Sequence, residues 1–245
     1  MQLHNNTILI TGGSSGIGLE LARQLLRQNN NVLVCGRTLE KLRQAHQELP
    51  SLHYLQCDVS KSSDCDQLRS WVQENHPDCN ILINNAAIVH VENFFQDEDI
   101  LEKAEAEIQT NLMGPIRLAK LFDPILSHHE NSAIFNITTG LVYVPRAIYP
   151  FYNATKSALH SFTQVMRSQS ENRSVSIIEV LFPAVDTPWH KGNPPDIAIS
   201  AEEAVTKMIK GIEKGDKEIH VGKAKLLYML SRIAPKFAFQ KLNSL

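Results

Sequence analysis

The stretch Thr11-Gly12-Gly13-Ser14-Ser15-Gly16-Ile17-Gly18 limits what this chain can fold into more than any other. It follows a short β-branched run at 7–11 and opens an amphipathic stretch at 16–28, with Ile17, Leu21 and Leu25 on one face. Glycines allow a tight turn and let a pyrophosphate approach the backbone. The helix N-terminus behind them offers unpaired N–H groups and a favourable dipole. Glycine clusters also make plain flexible turns, but a strand before and a helix after favour a nucleotide cradle. A P-loop needs Lys and then Ser or Thr after the last glycine, and here Leu19 and Glu20 follow. Gly12, Ser14, Ser15, Gly16, Ile17 and Gly18 are therefore candidate dinucleotide-binding residues.

The rest of the chain repeats the strand–helix rhythm. Further strands are expected at 31–35, 52–57, 80–84, 133–138, 175–182 and 217–221. Helices are expected at 39–49, at 62–75 from a capping pattern, at 151–171 and at 201–214. A long helical stretch at 98–127 should be bent or interrupted by Pro115 and Pro124. This alternation predicts an α/β protein, a doubly wound parallel β-sheet flanked by helices on both faces. Nothing marks a second domain, so residues 1–245 are read as one. In such sheets ligands bind beyond the carboxyl ends of the strands. The glycine turn, Asn84, Thr138, Thr139 and Pro183 all follow predicted strands, which places them along one edge.

One pair on the 151–171 helix stands out. Tyr152 and Lys156, four residues apart, share a helix face. A free tyrosine titrates near ~10 and is a poor acid or base at neutral pH. A fixed positive charge beside it should lower that value and tune the phenol as a general acid/base. The other tyrosines, 54, 143, 149 and 228, have Asp58, Ala147, Asn153 and Arg232 at the same offset, and none of these is a lysine. A surface pair on a helix is the bland reading of Tyr152 and Lys156.

Cofactor choice turns on the end of the second strand. Folds that prefer NAD place an acid there to hold the ribose hydroxyls. Here Gly36 is followed by Arg37 and Thr38. An acid would repel a 2′-phosphate, whereas Arg37 would pair with one and Gly36 leaves it room. NADP(H) is the expected cofactor. The competing reading is a solvated Arg37 that only opens the next helix, since the glycine turn holds no second basic residue.

A net charge of −2 gives no argument for nucleic acid as a partner. No apolar run is long enough to span a bilayer, and 1–6 lacks the regions of a signal peptide. Cys35, Cys57, Cys65 and Cys79 have no Cys-x-x-Cys spacing and are read as reduced thiols of a cytoplasmic protein, two of them buried. The histidines show no metal-ligand spacing, so no metal is assigned. The segment 184–200, with Trp189 and His190, is read either as a substrate loop or as a mobile surface loop. The tail 222–245 mixes apolar and basic residues; packing on its own domain or a neighbouring subunit is preferred over a membrane surface, because Pro235 interrupts it.

Taken together, these motifs resemble the short-chain dehydrogenase/reductase family in its compact single-domain branch, over almost the whole chain from Thr11 to about Val221. The glycine turn matches, as do Asp58-Val59, Asn84-Asn85-Ala86 with Ala87 in place of a glycine, Asn111 within Asn-Leu-Met-Gly, and Tyr152 with Lys156. The family serine is replaced by Thr139, and its Pro-Gly by Pro183-Ala184, with Thr187 following. Within the family, the chain looks similar to bacterial oxidoreductases named after the lipoteichoic-acid D-alanylation operon. The resemblance implies a Rossmann fold and hydride transfer between nicotinamide and a small carbonyl or alcohol substrate. It implies Tyr152 as proton donor or acceptor, Lys156 on the nicotinamide ribose, Thr139 on the developing alkoxide and Asn111 holding a water. Asp58 and Val59 would meet the adenine, Asn85 and Ala86 would flank the cofactor, and Pro183 and Thr187 would frame the carboxamide. It further implies a homodimer or homotetramer. The departures at Ala87, Thr139 and Ala184 leave an alternative open, a catalytically weakened cofactor-binding regulator or scaffold of the same fold.

Overall fold

The computed structural model describes residues 1–190 and 192–244; position 191, inside the expected substrate loop, and position 245, at the end of the tail, lie outside the described residues. The strands are β1 (Thr7–Thr11), β2 (Asn31–Gly36), β3 (His53–Gln56), β4 (Cys79–Asn84), β5 (Ser132–Thr139), β6 (Val175–Phe182), β7 (Val185–Asp186), β8 (Ile199–Ser200) and β9 (Glu218–His220). The α-helices are α1 (Gly16–Arg27), α2 (Leu39–Glu48), α3 (Ser62–Asn75), α4 (Ile100–Ile108), α5 (Gly114–Leu126), α6 (Pro150–Gln169), α7 (Ala201–Glu213), α8 (Ala224–Ile233) and α9 (Pro235–Asn243). One seven-stranded sheet runs β3-β2-β1-β4-β5-β6-β9. All of its pairings are parallel. The strand order reverses between β1 and β4, so the crevice of this doubly wound α/β sheet opens beyond their carboxyl ends.

The apolar strands explain why both faces are covered. Every residue of β1, β4 and β5 is buried. Successive side chains point to opposite faces. Ile8, Ile10, Val32 and Val34 pack with Leu21 and Leu25 of α1, Leu42 of α2 and Met208 of α7. Leu9, Leu33, Leu82 and Ile134 pack with Leu68 and Val72 of α3 and Leu118 and Phe122 of α5. Each such fully buried side chain contributes about 1.5–3 kcal/mol. A strand so apolar on both sides is stable only between two helical layers.

Four local expectations need correction. The 98–127 stretch is broken not by its prolines but by a π-helical turn, Gln109–Met113, that carries Asn111. Pro115 lies in the first turn of α5, directly after that π turn, and Pro124 sits inside α5 without ending it. The start of α3 has no side-chain cap; the Asp64 carboxylate instead accepts the Asp58 N–H at 2.9 Å. All four cysteines are free and buried, not two, because Cys65 and Cys79 also face the core. The expected loop after β6 begins and ends in a short parallel pair, with Val185 opposite Ile199 and Asp186 opposite Ser200, that pins its base.

The tail packs on its own domain. A Cβ on Gly140 would lie 3.1 Å from Leu227 of α8. Asn243 at the end of α9 accepts from the Ala147 N–H at 2.5 Å and donates to the Pro145 carbonyl at 3.1 Å. Leu226, Met229, Ile233, Phe237 and Phe239 remain exposed on the outside of the pair.

Gly18 has no room for a side chain: a Cβ there would sit 2.3 Å from the Gly12 carbonyl oxygen, which is backbone and cannot yield. Gly18→Ala is expected to lower stability by about 2 kcal/mol or more, as overpacking against a fixed neighbour does. The measurement is the urea midpoint at constant slope, and an unshifted midpoint would contradict so close an approach.

Candidate active site

The glycine turn is locked to the end of β4. Thr11 Oγ1 accepts from the N–H groups of Asn85 and Ala86, each at 3.0 Å. The Asn85 side-chain amide donates to the carbonyls of Thr11 at 2.9 Å and Gly12 at 3.3 Å. Gly12 and Gly16 have φ of 66° and 55°, in the left-handed region that glycine enters without strain. Ser15 caps α1 in extended backbone, yet its side chain makes no cap hydrogen bond. The first N–H groups of α1 are thus left for a ligand.

Beyond this turn lies a cavity of ≈ 480 Å³ that runs along the sheet edge. Its lining includes Gly12, Ser14 to Gly18, Arg37, Val59, Asn85, Ala86, Thr139, Tyr152, Lys156, Pro183 and Thr187. The sequence-predicted residues therefore converge, with two exceptions. Asp58 is not in the wall; its carboxylate accepts from the backbone N–H and hydroxyl of Ser60 at 3.1 and 2.8 Å, while Cys57 and Val59 face the cavity. Asn111 is fully buried behind the wall. Its Oδ1 accepts from the Ile88 N–H and its Nδ2 donates to the Ile88 carbonyl, both at 2.8 Å. That clamp fixes the segment after β4.

Two contributions escaped the sequence reading. Lys41 lines the cavity with Arg37. The signal was available, since Lys41 stands four residues beyond Arg37 and reaches the same end from the first turn of α2. The tail also joins the wall through Leu227 and Leu242, which no local pattern foretold. Among the described residues no Asp or Glu lines the cavity, whereas Arg37, Lys41, Arg146 and Lys156 do. An open helix N-terminus, glycines where a Cβ would collide and an acid-free wall fit a bound dinucleotide pyrophosphate.

Trp189 extends the far end. Its ring lies 5.8 Å from Tyr149 and 5.9 Å from Tyr152, and Tyr149 lies 6.2 Å from Tyr152. The 184–200 segment thus contributes Trp189 to the cavity that holds the phenol.

The profile of the short chain dehydrogenase family matches residues 6–198. The chain belongs to that family. The uncharacterized oxidoreductase DltE of Bacillus subtilis is 39% identical over 249 residues, covering 100% of this chain and 99% of that protein. A fatty acyl-CoA reductase of Acinetobacter baylyi is 28% identical, over 93% of this chain and 79% of its own. Two solved structures share the fold. A short chain dehydrogenase from Burkholderia cenocepacia in complex with NADP has a TM-score of 0.87 at 24% identity, over 99% of both chains. A short chain dehydrogenase/reductase from Burkholderia phymatum in complex with NAD has a TM-score of 0.86 at 17% identity, over 99% of this chain and 97% of that one. This member of the short-chain dehydrogenase family is an oxidoreductase with a Rossmann fold, and its similarity to DltE extends along its full length.

Electrostatics of the ligand-free site reverse one expectation. Lys156 was expected to lower the Tyr152 pKa. Instead burial pushes the phenol above its ordinary value, with the charges of Glu107 and then Tyr149 acting the same way. Burial also pushes Lys156 down to about 8, against the opposing pull of Glu179 and Glu107. The reason is geometric. Lys156 Nζ donates to the Ile137 carbonyl at 2.7 Å and lies 5.9 Å from the Tyr152 ring centre, so desolvation outweighs their attraction. Glu107 is itself fully buried and accepts from the His90 backbone at 2.7 Å.

A pH dependence follows. Lys156 loses its proton earlier in the folded chain than in the unfolded one, so between about 8 and 10.5 the unfolded state binds more protons and stability rises with pH. The stability of the ligand-free parent relative to Lys156→Met is expected to climb from pH 8 to 10 in urea melts at fixed ionic strength. A flat difference would show that the ammonium is not desolvated.

Proposed function

We propose that this protein is an NADP(H)-dependent oxidoreductase moving hydride between nicotinamide and a carbonyl or alcohol carbon, with Tyr152 as the general acid/base. What carries the reading is that Tyr152 and Lys156 line the same cavity as the glycine turn, with no Asp or Glu among its described lining residues. Gly12, Ser14, Ser15, Gly16, Ile17 and Gly18 hold the pyrophosphate on the N-terminus of α1. Val59, beside Asp58, meets the adenine, and Asn85 and Ala86 flank the cofactor from β4. Pro183 and Thr187 frame the carboxamide. The cofactor, when bound, supplies or accepts the hydride.

Tyr152 gives a proton to the substrate oxygen in reduction and takes it back in oxidation. Lys156 holds the nicotinamide ribose and favours the phenolate once drawn from the Ile137 carbonyl. Thr139 Oγ1 accepts from the Leu141 N–H at 3.3 Å, which leaves its own hydrogen to donate to the developing alkoxide. Asn111 keeps the Ile88 segment in place. Arg37 and Lys41 supply the charge that a 2′-phosphate needs, and no carboxylate among the described lining residues opposes it. Exposed Leu101 and Ile108 on α4 and Val165 on α6 support assembly as a homodimer or homotetramer. No helix among the described residues is long and apolar enough to cross a membrane; action in the cytoplasm is part of the proposal.

Tyr152→Phe is expected to keep NADPH affinity and to cut NADPH-dependent reduction of a carbonyl panel by about 10²–10⁴-fold. Retained turnover would refute the assigned acid and leave a different donor to be found. Arg37→Asp should weaken NADPH binding about tenfold or more and shift preference toward NADH, as loss of a charge-assisted pair does. Tighter binding of NADH than NADPH by the parent would sink the cofactor assignment.

A further inference from the structure

Among the described residues four cationic side chains line the cavity, and the dinucleotide proposed above would engage three of them. Arg37 and Lys41 stand beyond β2, and Lys156 stands beside Tyr152. Arg146 is left over at the opposite end, on the segment between β5 and α6. We propose that Arg146 anchors the substrate, which is a carbonyl or alcohol compound with an apolar or aromatic body and a terminal oxyanion, carboxylate or phosphate. The proposal rests on the oxidoreductase reading above for the reacting end only.

The geometry supplies both halves of such a ligand. The Arg146 guanidinium lies 5.7 Å over the Tyr149 ring centre. Tyr149, Tyr152 and Trp189 stand within 6.2 Å of one another, so apolar ring faces separate the reacting phenol from the guanidinium. The segment is held independently of the charge. The Arg146 N–H donates to Asn153 Oδ1 at 3.4 Å, and its carbonyl accepts from Asn153 Nδ2 at 2.7 Å. Among the described residues the guanidinium has no hydrogen bond and no acidic partner. A partly buried cation among aromatic rings is costly to leave uncompensated. Its planar fork matches a carboxylate or phosphate in two parallel hydrogen bonds.

A second polar atom points to the same vacancy in chemistry. His190 Nε2 is buried and has no hydrogen-bond partner among the described residues, and its ring, 4.6 Å from Trp189, belongs to the same wall. Buried polar nitrogens are normally satisfied, so a ligand group that reaches both Arg146 and His190 would complete the site.

The test is calorimetric titration of the protein with NADP⁺ present, using benzoate, phenyl phosphate and neutral benzamide as probes. The parent is expected to bind at least one anion about tenfold more tightly than benzamide, and the better anion names the oxyanion. Arg146→Met, which keeps the aliphatic stem on Tyr149, should bind all three alike while retaining the parent's melting temperature and NADPH affinity. Arg146→Lys, which keeps the charge without the fork, should fall between and serves if the methionine variant does not fold. No anion preference in the parent, including no binding of any probe, overturns the anchor, and so does a preference that survives in Arg146→Met. Turnover is read separately with NADPH and the pair 4-formylbenzoate and benzaldehyde. Anion preference without turnover of either aldehyde sinks the oxidoreductase reading alone; turnover of benzaldehyde without anion preference sinks the anchor alone.

Discussion

Everything at this site hangs from the close approach of two backbone segments, the carbonyl of Gly12 and the first turn of α1 at Gly18. A single Cβ at Gly18 would reach within 2.3 Å of that oxygen, and one at Gly13 would reach within 2.3 Å of Val34. The turn is tight because nothing larger than hydrogen fits on either side. Thr11 and Asn85 then fasten it to the end of β4 through the Thr11 hydroxyl, the Asn85 side-chain amide and four backbone groups. The N-terminus of α1 is thereby aimed into the reversal of strand order, where a parallel sheet leaves space between neighbouring crossovers. Strand, turn and helix are one device, and the cavity is what remains in front of it.

Desolvation governs the chemistry in that cavity more than pairwise attraction does. Tyr152 and Lys156 share a helix turn, but burial pushes each toward its neutral form. The ammonium has turned to the Ile137 carbonyl and away from the phenol. Glu107 and Glu179, both fully buried, act on the pair from behind the wall and favour protonated species. Among the described residues the lining itself carries cationic side chains and no carboxylate. That uniformity suits a polyanionic cofactor at one end, and Arg146 carries it to the other.

Much of this was legible from residue pattern. The sheet strands were readable because β-branched runs bounded by turn residues have few alternatives, and their order in sequence implied a parallel sheet. Tyr152, Lys156, Thr139 and the glycine turn were readable because each follows a strand or shares a helix face, and the structure gathers all of them along one edge. The break in the 98–127 stretch was misread because proline is the visible helix-breaker, whereas a π turn carries no compositional mark. The parallel pair Val185–Asp186 and Ile199–Ser200 was missed because two-residue strands leave no periodicity. Asp58 and Asn111 matched motif positions, yet hydrogen bonds to Ser60 and Ile88 engage their side chains. Such partners come from other segments and cannot be seen in a local window.

Sequence by itself determined the architecture and the candidate site residues, because periodicity, glycine placement and residue type are local properties. Tertiary structure alone decided their states and their neighbours. Burial set the direction of the Tyr152 and Lys156 shifts, α8 and α9 brought Leu227 and Leu242 into the wall, and the absence of carboxylates along the described lining emerged only when remote segments met. Solvent exclusion and charge summation depend on every surrounding atom, whatever its position in the chain.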